Sequence, residues 1–437
     1  MVGAPGKIRV VLAGLGTVGQ GVVRLLESQA SRYRERFGID LALVSILDRS
    51  YQNKDTSWIS SDVRFTDSLE DFLAVPTDVV IELIGGIDPA DQIIRSSLGG
   101  GKSVVTANKA LMALHGTEYL RLASETDAFL GFEASVAGGI PIIQVINHSL
   151  SSDQILRVRG ILNGTCNFIL SAMANGQTDY QDALVEAQSL GYAEADPGLD
   201  VSGGDARDKL AILSTLCFHA AIDPEKIPTQ GIEEVSAVDF LYAEKLDSTI
   251  KLLGIAAIGD HGVRLRVGPF LVDNSLPLAK IAGVLNAVEV MGATVGSVLL
   301  SGSGAGEGPT SISVMADVLR ASQQETGAAS TLLASEATVL QRSELKGDKG
   351  EEESYPFYMR FFVKDRPGII ATLTQILAER KINIDLVLQE SWSDRSNFPF
   401  VITVEPTRFS SMQEALEEIK ALDFNCIDPL VVPILKE

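Results

Sequence analysis

The sequence predicts an α/β protein in three parts. These are a Rossmann-type nucleotide-binding domain, an α+β substrate and dimerisation domain with a mixed sheet, and a C-terminal ferredoxin-like (βαββαβ) domain. Three observations carry that reading. An apolar strand runs directly into Gly14-Leu15-Gly16-Thr17-Val18-Gly19, strand and helix patterns alternate to about residue 145, and a charged glycine-containing stretch, Lys346 to Ser354, sets off the last 83 residues. At 437 residues the chain exceeds one ordinary core, so several domains are expected.

The first domain spans residues 1–145. Lys7–Ala13 is β-branched and apolar, as a strand buried on both faces of a parallel sheet must be. A helical pattern follows the glycine turn to about Phe37, and Leu41–Leu47 is the next apolar strand, ending at Asp48-Arg49. Val79–Ile84 and Ser103–Thr106 are further short strands. This alternation is that of a doubly wound sheet. The second domain spans 146–315, where polar–apolar alternation in Gln154–Ile161 signals antiparallel strands among helices. A return helix at about 316–342, including Thr331–Gln341, completes the first domain, and 343–354 is a linker without apolar periodicity. In the third domain, 355–437, Tyr358–Val363, Ile384–Glu390, Phe400–Glu405 and Leu430–Leu435 read as strands. Ile369–Glu379 and Ser411–Leu422 read as helices, which gives the βαββαβ order.

Composition excludes several classes of function. The formal charge of −21 argues against a nucleic-acid partner, because phosphate neutralisation needs clustered Lys and Arg. Three cysteines, Cys166, Cys217 and Cys426, form no CxxC pattern, so no disulfide framework is expected and a reducing, cytoplasmic setting fits. The four histidines have no metal-ligand spacing. No signal peptide is expected, and no apolar run reaches the roughly 18 residues that a membrane helix needs.

The glycine turn has the context that its motif requires: it follows a strand and opens a helix. Gly14 permits the tight turn, Gly16 lets the backbone approach a pyrophosphate, and Gly19 allows close helix–strand packing. The N–H groups near Thr17 and Val18 would meet the phosphate at the helix N-terminus. Asp48 lies 34 residues past Gly14, a gap explained by the long first helix. Asp48 suits the ribose hydroxyls of NAD, whereas Arg49 suits the 2′-phosphate of NADP, so both cofactors stay open. A second cluster gathers Glu194, Asp200 and Asp205 around Lys209. Ser202 to Asp205 has capping-box spacing, with Asp in place of the usual Glu, so a helix is expected to start there. Asp205 and Lys209, at i and i+4, then share one face.

Read together, these motifs resemble the homoserine dehydrogenase family in order and spacing. The resemblance rests on Thr106-Ala107-Asn108-Lys109, the segment Glu133 to Pro141, Asn163-Gly164-Thr165, the segment Gly191 to Pro197, Asp205 with Lys209, and Gly304-Ala305-Gly306 before Pro309-Thr310. The C-terminal unit resembles the ACT domain that many bacterial members carry. The resemblance implies reversible NAD- or NADP-dependent oxidation of L-homoserine to L-aspartate 4-semialdehyde. It also implies that Glu194 and Asp205 hold the substrate ammonium, with Asp200 and Tyr192 in the same loop, and that Lys209 is the acid/base. Lys109 would stand near the reacting oxygen and the nicotinamide, with Gly191 and Gly306 bordering the cofactor. Glu133 and the carbonyls of Val136, Gly138 and Ile140 match a monovalent-cation site, for an ion such as sodium, in the hinge between domains. Cys166 stands where a second Thr is common, and Ala137-Gly138 replaces a frequent Gly-Ala, a change that carbonyl ligation tolerates. A homodimer or homotetramer is implied as well.

The chemistry supports this assignment independently. A free Lys, with pKa about 10.4, is neutral only about once in 2,500 at pH 7, a penalty of roughly 4.6 kcal/mol for a general base. Burial, a second Lys and a cationic nicotinamide would all lower that pKa. In the reducing direction the ammonium form protonates the developing alkoxide without any shift. In the C-terminal unit, the turn at Asp365, Gly368 and Ile369 sets a helix N-terminus beside a strand edge, where backbone N–H groups can hold an amino acid's carboxylate. By resemblance this is an effector site, with threonine as the feedback ligand; a plain dimerisation role is the alternative. Two other readings are a different Rossmann-plus-ACT dehydrogenase, which would need a catalytic His or an Arg cluster near the acidic loop, and a non-catalytic amino-acid sensor.

Overall fold

The computed structural model describes residues 7–176, 178–259, 262–323 and 354–436. It opens with the buried strand β1 (Lys7–Ala13), whose β-branched residues Val10 and Val11 are inaccessible to solvent or nearly so. Strands β2 (Asp40–Leu47), β3 (Arg64–Thr66), β4 (Val79–Glu82), β5 (Ser103–Thr106) and β6 (Leu130–Gly131) join β1 in one parallel sheet. The strand order is β3-β2-β1-β4-β5-β6, which reverses direction between β1 and β4 and so opens a crevice at the carboxyl ends of those two strands. The helices between them are α1 (Thr17–Ser28), α2 (Ala30–Phe37), α3 (Leu69–Leu73), α4 (Ala90–Gly99) and α5 (Lys109–Glu125), followed by the single turn α6 (Ile142–Gln144). The helix expected to run on to Phe37 is broken at Gln29 and closes at Gly38 in the left-handed region (φ 68°).

The later elements are β7 (Ile155–Ile161), α7 (Gly164–Gly176), α8 (Tyr180–Ser189), α9 (Gly198–Val201), α10 (Gly204–Phe218) and α11 (Ala237–Lys245). Then come β8 (Ser248–Gly259), β9 (Gly262–Asp273), β10 (Leu285–Gly292), β11 (Gly296–Ser303) and α12 (Glu307–Ser322). The last run is β12 (Ser354–Val363), α13 (Ile369–Glu379), β13 (Ile384–Leu388), β14 (Phe398–Arg408), α14 (Phe409–Lys420) and β15 (Leu430–Leu435). This is the βαββαβ order read from the sequence. The helix α12 covers the start of the expected return helix; the rest of it, with Thr331–Gln341 and the linker up to residue 353, lies outside the described residues.

Close contacts divide the chain into two units. The first comprises the described parts of 1–158, 207–227 and 286–345. In it α12 lies against α1, near enough that a Cβ on Gly21 would fall 2.4 Å from Ser311 Oγ, while Ser311 donates to Val18 O at 3.1 Å. The second unit comprises the described parts of 159–206, 228–285 and 346–437. Here β8 and β9 form an antiparallel hairpin, and β15 pairs parallel with β9 through Ile434↔Leu271 and Leu435↔Val272. Beyond β15 follow β12, β14 and β13, all antiparallel. The C-terminal βαββαβ element therefore shares a hydrogen-bonded sheet with β8 and β9, a pairing between distant segments that no local pattern announces.

Candidate active site

In the first unit the glycine turn fits its predicted geometry. Gly14 adopts φ 99°, and a Cβ there would lie 2.5 Å from Leu83 O, so only glycine passes between β1 and the loop after β4. A Cβ on Gly19 would meet Gly14 O at 2.1 Å, whereas Gly16 faces open space beside the exposed Thr17 and the half-buried Val18 at the start of α1.

Asp48, the residue after β2, has its carboxylate engaged within the chain. Its carboxylate accepts from Leu15 N at 2.9 Å, from Ser50 N and Oγ at 2.8 and 2.9 Å, and from Lys54 Nζ at 2.6 Å. Lys54 Nζ also donates to Leu15 O at 3.0 Å, and Arg49 beside it is exposed. Burial alone would raise the Asp48 carboxyl, but its bonds to Lys54, Leu15 and Ser50 prevail and hold it below the usual range. Sequence reasoning missed Lys54, since nothing in its local pattern distinguishes it from a surface lysine.

Lys109 is the first residue of α5 and is half-buried. Its helix is capped by Asn108, whose Oδ1 accepts from Leu111 N at 3.2 Å. Glu133 is buried, and its two oxygens accept from Ile143 N and Gln144 N, both at 2.8 Å, at the start of α6. Its own N–H donates to Asp317 Oδ2 at 2.9 Å. Burial, then the nearby Asp317, pushes Glu133 up to about 7, and burial pushes Asp317 up to about 6. Ala137 (φ 54°) and Gly138 (φ 47°) are consecutive left-handed residues that turn the carbonyls between the buried Val136 and Ile140. Gly138 lies hard against Gly304 O, at 2.4 Å from where a Cβ would be, and its carbonyl accepts from Ser313 Oγ at 2.6 Å. Gly306 (φ 115°) caps α12.

In the second unit one side chain organises the acidic cluster. Asn163, at the entrance to α7, is buried and gives its Nδ2 protons to Asp200 Oδ1 at 2.7 Å and Asp205 Oδ2 at 2.8 Å. Its Oδ1 accepts from Cys166 N at 2.8 Å, and Cys166 Sγ donates to Asp200 O at 3.2 Å. Thr165 Oγ1 donates to Tyr192 O at 2.7 Å, and the partly exposed Tyr192 ring packs on Phe168 at 4.9 Å. Gly191 takes φ 76° at the head of this loop, and Glu194 stands exposed with its carbonyl held by Gln188. Asp200 and Asp205 are thus brought together as expected, while Glu194 is not joined to them.

The start of α10 corrects one expectation. Ser202 does not cap it, because it already closes the preceding helix α9, where its hydroxyl donates to Leu199 O at 3.5 Å. Gly203 (φ 85°) then redirects the chain, and α10 begins at Gly204. Asp205 remains in the first turn with Lys209 one turn on, so the shared face survives. Sequence reading recorded Asn163 only as part of a motif, and its bridging role needs the fold.

In the C-terminal part, Val363, Asp365, Arg366, Gly368, Ile369 and Ile370 line much of a cavity of about 300 Å³. Gly368 (φ 98°) is the cap of α13, so the helix N-terminus opens at this cavity. Asp365 pairs with Arg395 at 2.8 Å, and Arg366 pairs with Asp423.

Comparison with known proteins agrees with this architecture. Residues 14–131 match the homoserine dehydrogenase NAD-binding domain, 141–319 the homoserine dehydrogenase catalytic family, and 357–424 the ACT domain. The homoserine dehydrogenase of Pseudomonas aeruginosa is 38% identical across 95% of this chain and 96% of its own. That of Synechocystis is 37% identical across 98% and 99%. Among solved structures, a homoserine dehydrogenase from Thiobacillus denitrificans superposes with TM-score 0.86 at 34% identity over 99% of both chains. A hyperthermophilic archaeal homoserine dehydrogenase in complex with NADPH matches with TM-score 0.63 at 30% identity, over 73% of this chain and 98% of its own. No helix among the described residues is long and apolar enough to cross a membrane. The NAD-binding, catalytic and ACT matches follow one another along this chain, its relatives are matched over nearly their whole length, and the chain belongs to the homoserine dehydrogenase family.

Proposed function

We propose that this homoserine dehydrogenase binds the substrate ammonium between Asp200, Asp205 and Glu194, with Tyr192 in the adjoining loop and Lys209 as acid/base. The observation that carries the reading is Asn163, which draws two carboxylates onto one amide, one of them that of Asp205, a helical turn before Lys209. Two acids so held suit a cation such as an α-ammonium group, and Lys209 follows Asp205 by one turn of the same helix. In oxidation, neutral Lys209 takes the hydroxyl proton as the carbon–hydrogen bond gives up hydride. In reduction, the ammonium form returns a proton to the alkoxide oxygen. Lys109, at the cationic N-terminal end of α5, polarises that oxygen. The nicotinamide cofactor supplies or accepts the hydride, and Gly14, Gly16, Thr17, Val18, Gly19, Gly191 and Gly306 border it.

The cofactor reading favours NADP. Asp48 is engaged by its own chain and neutralised by Lys54, while Arg49 stands exposed next to it, so this strand end presents cations to a 2′-phosphate rather than a free carboxylate to a ribose diol. A monovalent cation such as sodium suits the carbonyls of Val136, Gly138 and Ile140 with Glu133, because Glu133 and Asp317 form a buried acidic pair whose repulsion a cation relieves. Threonine in the ACT cavity, with Asp365, Gly368 and Ile369 around its charged groups, is the proposed feedback ligand. A homodimer or homotetramer in the cytoplasm, with domains near the bounds read from the sequence, completes the proposal.

The test follows absorbance at 340 nm with L-homoserine and each cofactor, in sodium and in tetramethylammonium buffers. The expected result is faster turnover with NADP, dependence on sodium, and a Lys209→Ala variant at least about 100-fold slower, in line with a lost general acid/base. Full kcat in Lys209→Ala would remove that residue from the mechanism, and a preference for NAD would overturn the reading of Asp48.

A further inference from the structure

Glu82 ends β4 with no solvent exposure, an acid sealed in the first unit's core at the carboxyl end of the central strands. In register it faces Ala13 of β1 on one side and Thr106 of β5 on the other. One carboxylate oxygen accepts from Ile84 N at 2.8 Å and from Gly85 N at 3.3 Å. The other accepts from Thr106 Oγ1 at 2.6 Å. Thr106 Oγ1 in turn accepts from Asn108 N at 3.0 Å, and Asn108 Nδ2 donates to Gly86 O at 2.7 Å. Asn108 then caps α5, whose first residue is Lys109.

We propose that Glu82 is the positioning residue for Lys109. Its buried carboxylate ties the loop after β4 to the Thr106–Lys109 turn and so fixes where α5 begins. The argument is one of accounting. Two loops meet at the strand ends beside the dinucleotide turn: the loop after β4 brings the N–H groups of Ile84 and Gly85 to Glu82, and the turn after β5 brings the Thr106 hydroxyl. An apolar residue at 82 would take the acceptor from the Ile84 and Gly85 N–H groups and leave the fully buried Thr106 hydroxyl unsatisfied. A single carboxyl group accepts from all three and fuses the loops into one ledge. The same ledge carries Leu83 O, against which Gly14 is packed, so the turn that receives the pyrophosphate and the residue that meets the substrate oxygen share one foundation. Burial pushes the Glu82 carboxyl up, and its bonds to Thr106, Ile84, Gly85 and Asn108 act against that shift. Sequence held a faint signal: an acid closing the apolar run Val79–Ile81 just before Gly85-Gly86.

The proposal rests on the role assigned above to Lys109, so its test is a double-mutant cycle on the full-length chain. Glu82→Ala is expected to lower kcat about 10- to 100-fold, since a misplacement of about 1 Å costs on the order of 100-fold, with KM for homoserine changed far less. Glu82→Gln, which still accepts from Ile84 and Gly85, is expected to recover most of that loss. The double variant Glu82→Ala/Lys109→Ala should be no slower than Lys109→Ala alone, because Glu82 acts through Lys109. Thr106→Val breaks the same link without removing the acid, and it serves as the partner in the cycle if Glu82→Ala does not fold. Multiplying losses in the double variant, or a Glu82→Ala enzyme with unchanged kcat, would overturn the proposal while leaving Lys109 in the mechanism. A Lys109→Ala enzyme with full kcat would overturn the underlying reading of Lys109 itself.

Discussion

Lys251 lies on β8 with 3% exposure, and its ammonium donates to Ile281 O at 2.6 Å and Asn167 Oδ1 at 3.2 Å, two neutral acceptors. Burial lowers its pKa to about 8. The folded state therefore holds this proton less tightly than the unfolded chain, so the unfolded chain binds more protons between pH 8 and the ordinary lysine range. Stability gains from this group as pH rises through that window, and below about 8 the cost of the buried charge is fully present. The expected outcome is that the stability of the native chain relative to Lys251→Met improves between pH 8 and 10.5 in chemical denaturation. A flat difference would place the lysine charge outside the fold's energetics. The same scale accounts for Asp48, whose identity was legible but whose partners were not. Lys54 comes from a short helical turn six residues on, and only the folded loop brings its ammonium to the carboxylate.

At the scale of elements, α11 and β12 are joined by a buried ion pair. Asp239 Oδ2 accepts from Ser236 N and Oγ at 2.8 and 2.9 Å and so caps its own helix, while Oδ1 accepts from Tyr358 Oη at 2.8 Å and Arg360 Nε at 3.2 Å. Arg360 also reaches Glu234 O at 2.7 Å, and Tyr242 Oη reaches Pro399 O at 3.2 Å. Arg360 and Asp239 are 1% and 0% exposed, so removing either partner leaves the other charged in the core. Asp239→Ala is expected to destabilise the second unit by about 3–5 kcal/mol, read as a lowered urea midpoint, whereas a simultaneous Arg360→Met change should recover much of it. Equal losses in the single and double variants would reduce the pair to an incidental contact. Element positions themselves were largely legible: β1, β5, α13 and β15 follow their apolar runs to the residue. The error at Ser202 arose because a capping pattern names residues that can cap, not which of two adjacent helices they serve.

For the whole molecule, the shared sheet changes how regulation can be examined. Removing the chain after about Lys346 would uncover the edge of β9 and strand Asp239 without Arg360, so a truncated enzyme would lose stability along with any effector site. A point change inside the cavity separates the two. Threonine is expected to inhibit the native chain, and Ile370→Trp, which fills the space of about 300 Å³ beside the α13 N-terminus, is expected to abolish that inhibition. Undiminished inhibition in the variant would move the effector to another site.

Short-range chemistry by itself determined the three-part architecture, the dinucleotide turn, the acidic loop with its lysine and the βαββαβ order. Each of these follows from residue spacing along a strand, turn or helix, where neighbours in sequence are neighbours in space. Tertiary structure alone decided that Asn163 gathers Asp200 and Asp205, that Lys54 occupies Asp48, that Glu82 takes the Thr106 hydroxyl, and that β15 carries the C-terminal sheet onto β9. Apart from the Lys54–Asp48 pair, which a folded loop closes over six residues, those contacts join segments well separated in the chain. Their partners are selected by burial and by the need to satisfy every enclosed donor and acceptor, a constraint that exists only once the core has closed.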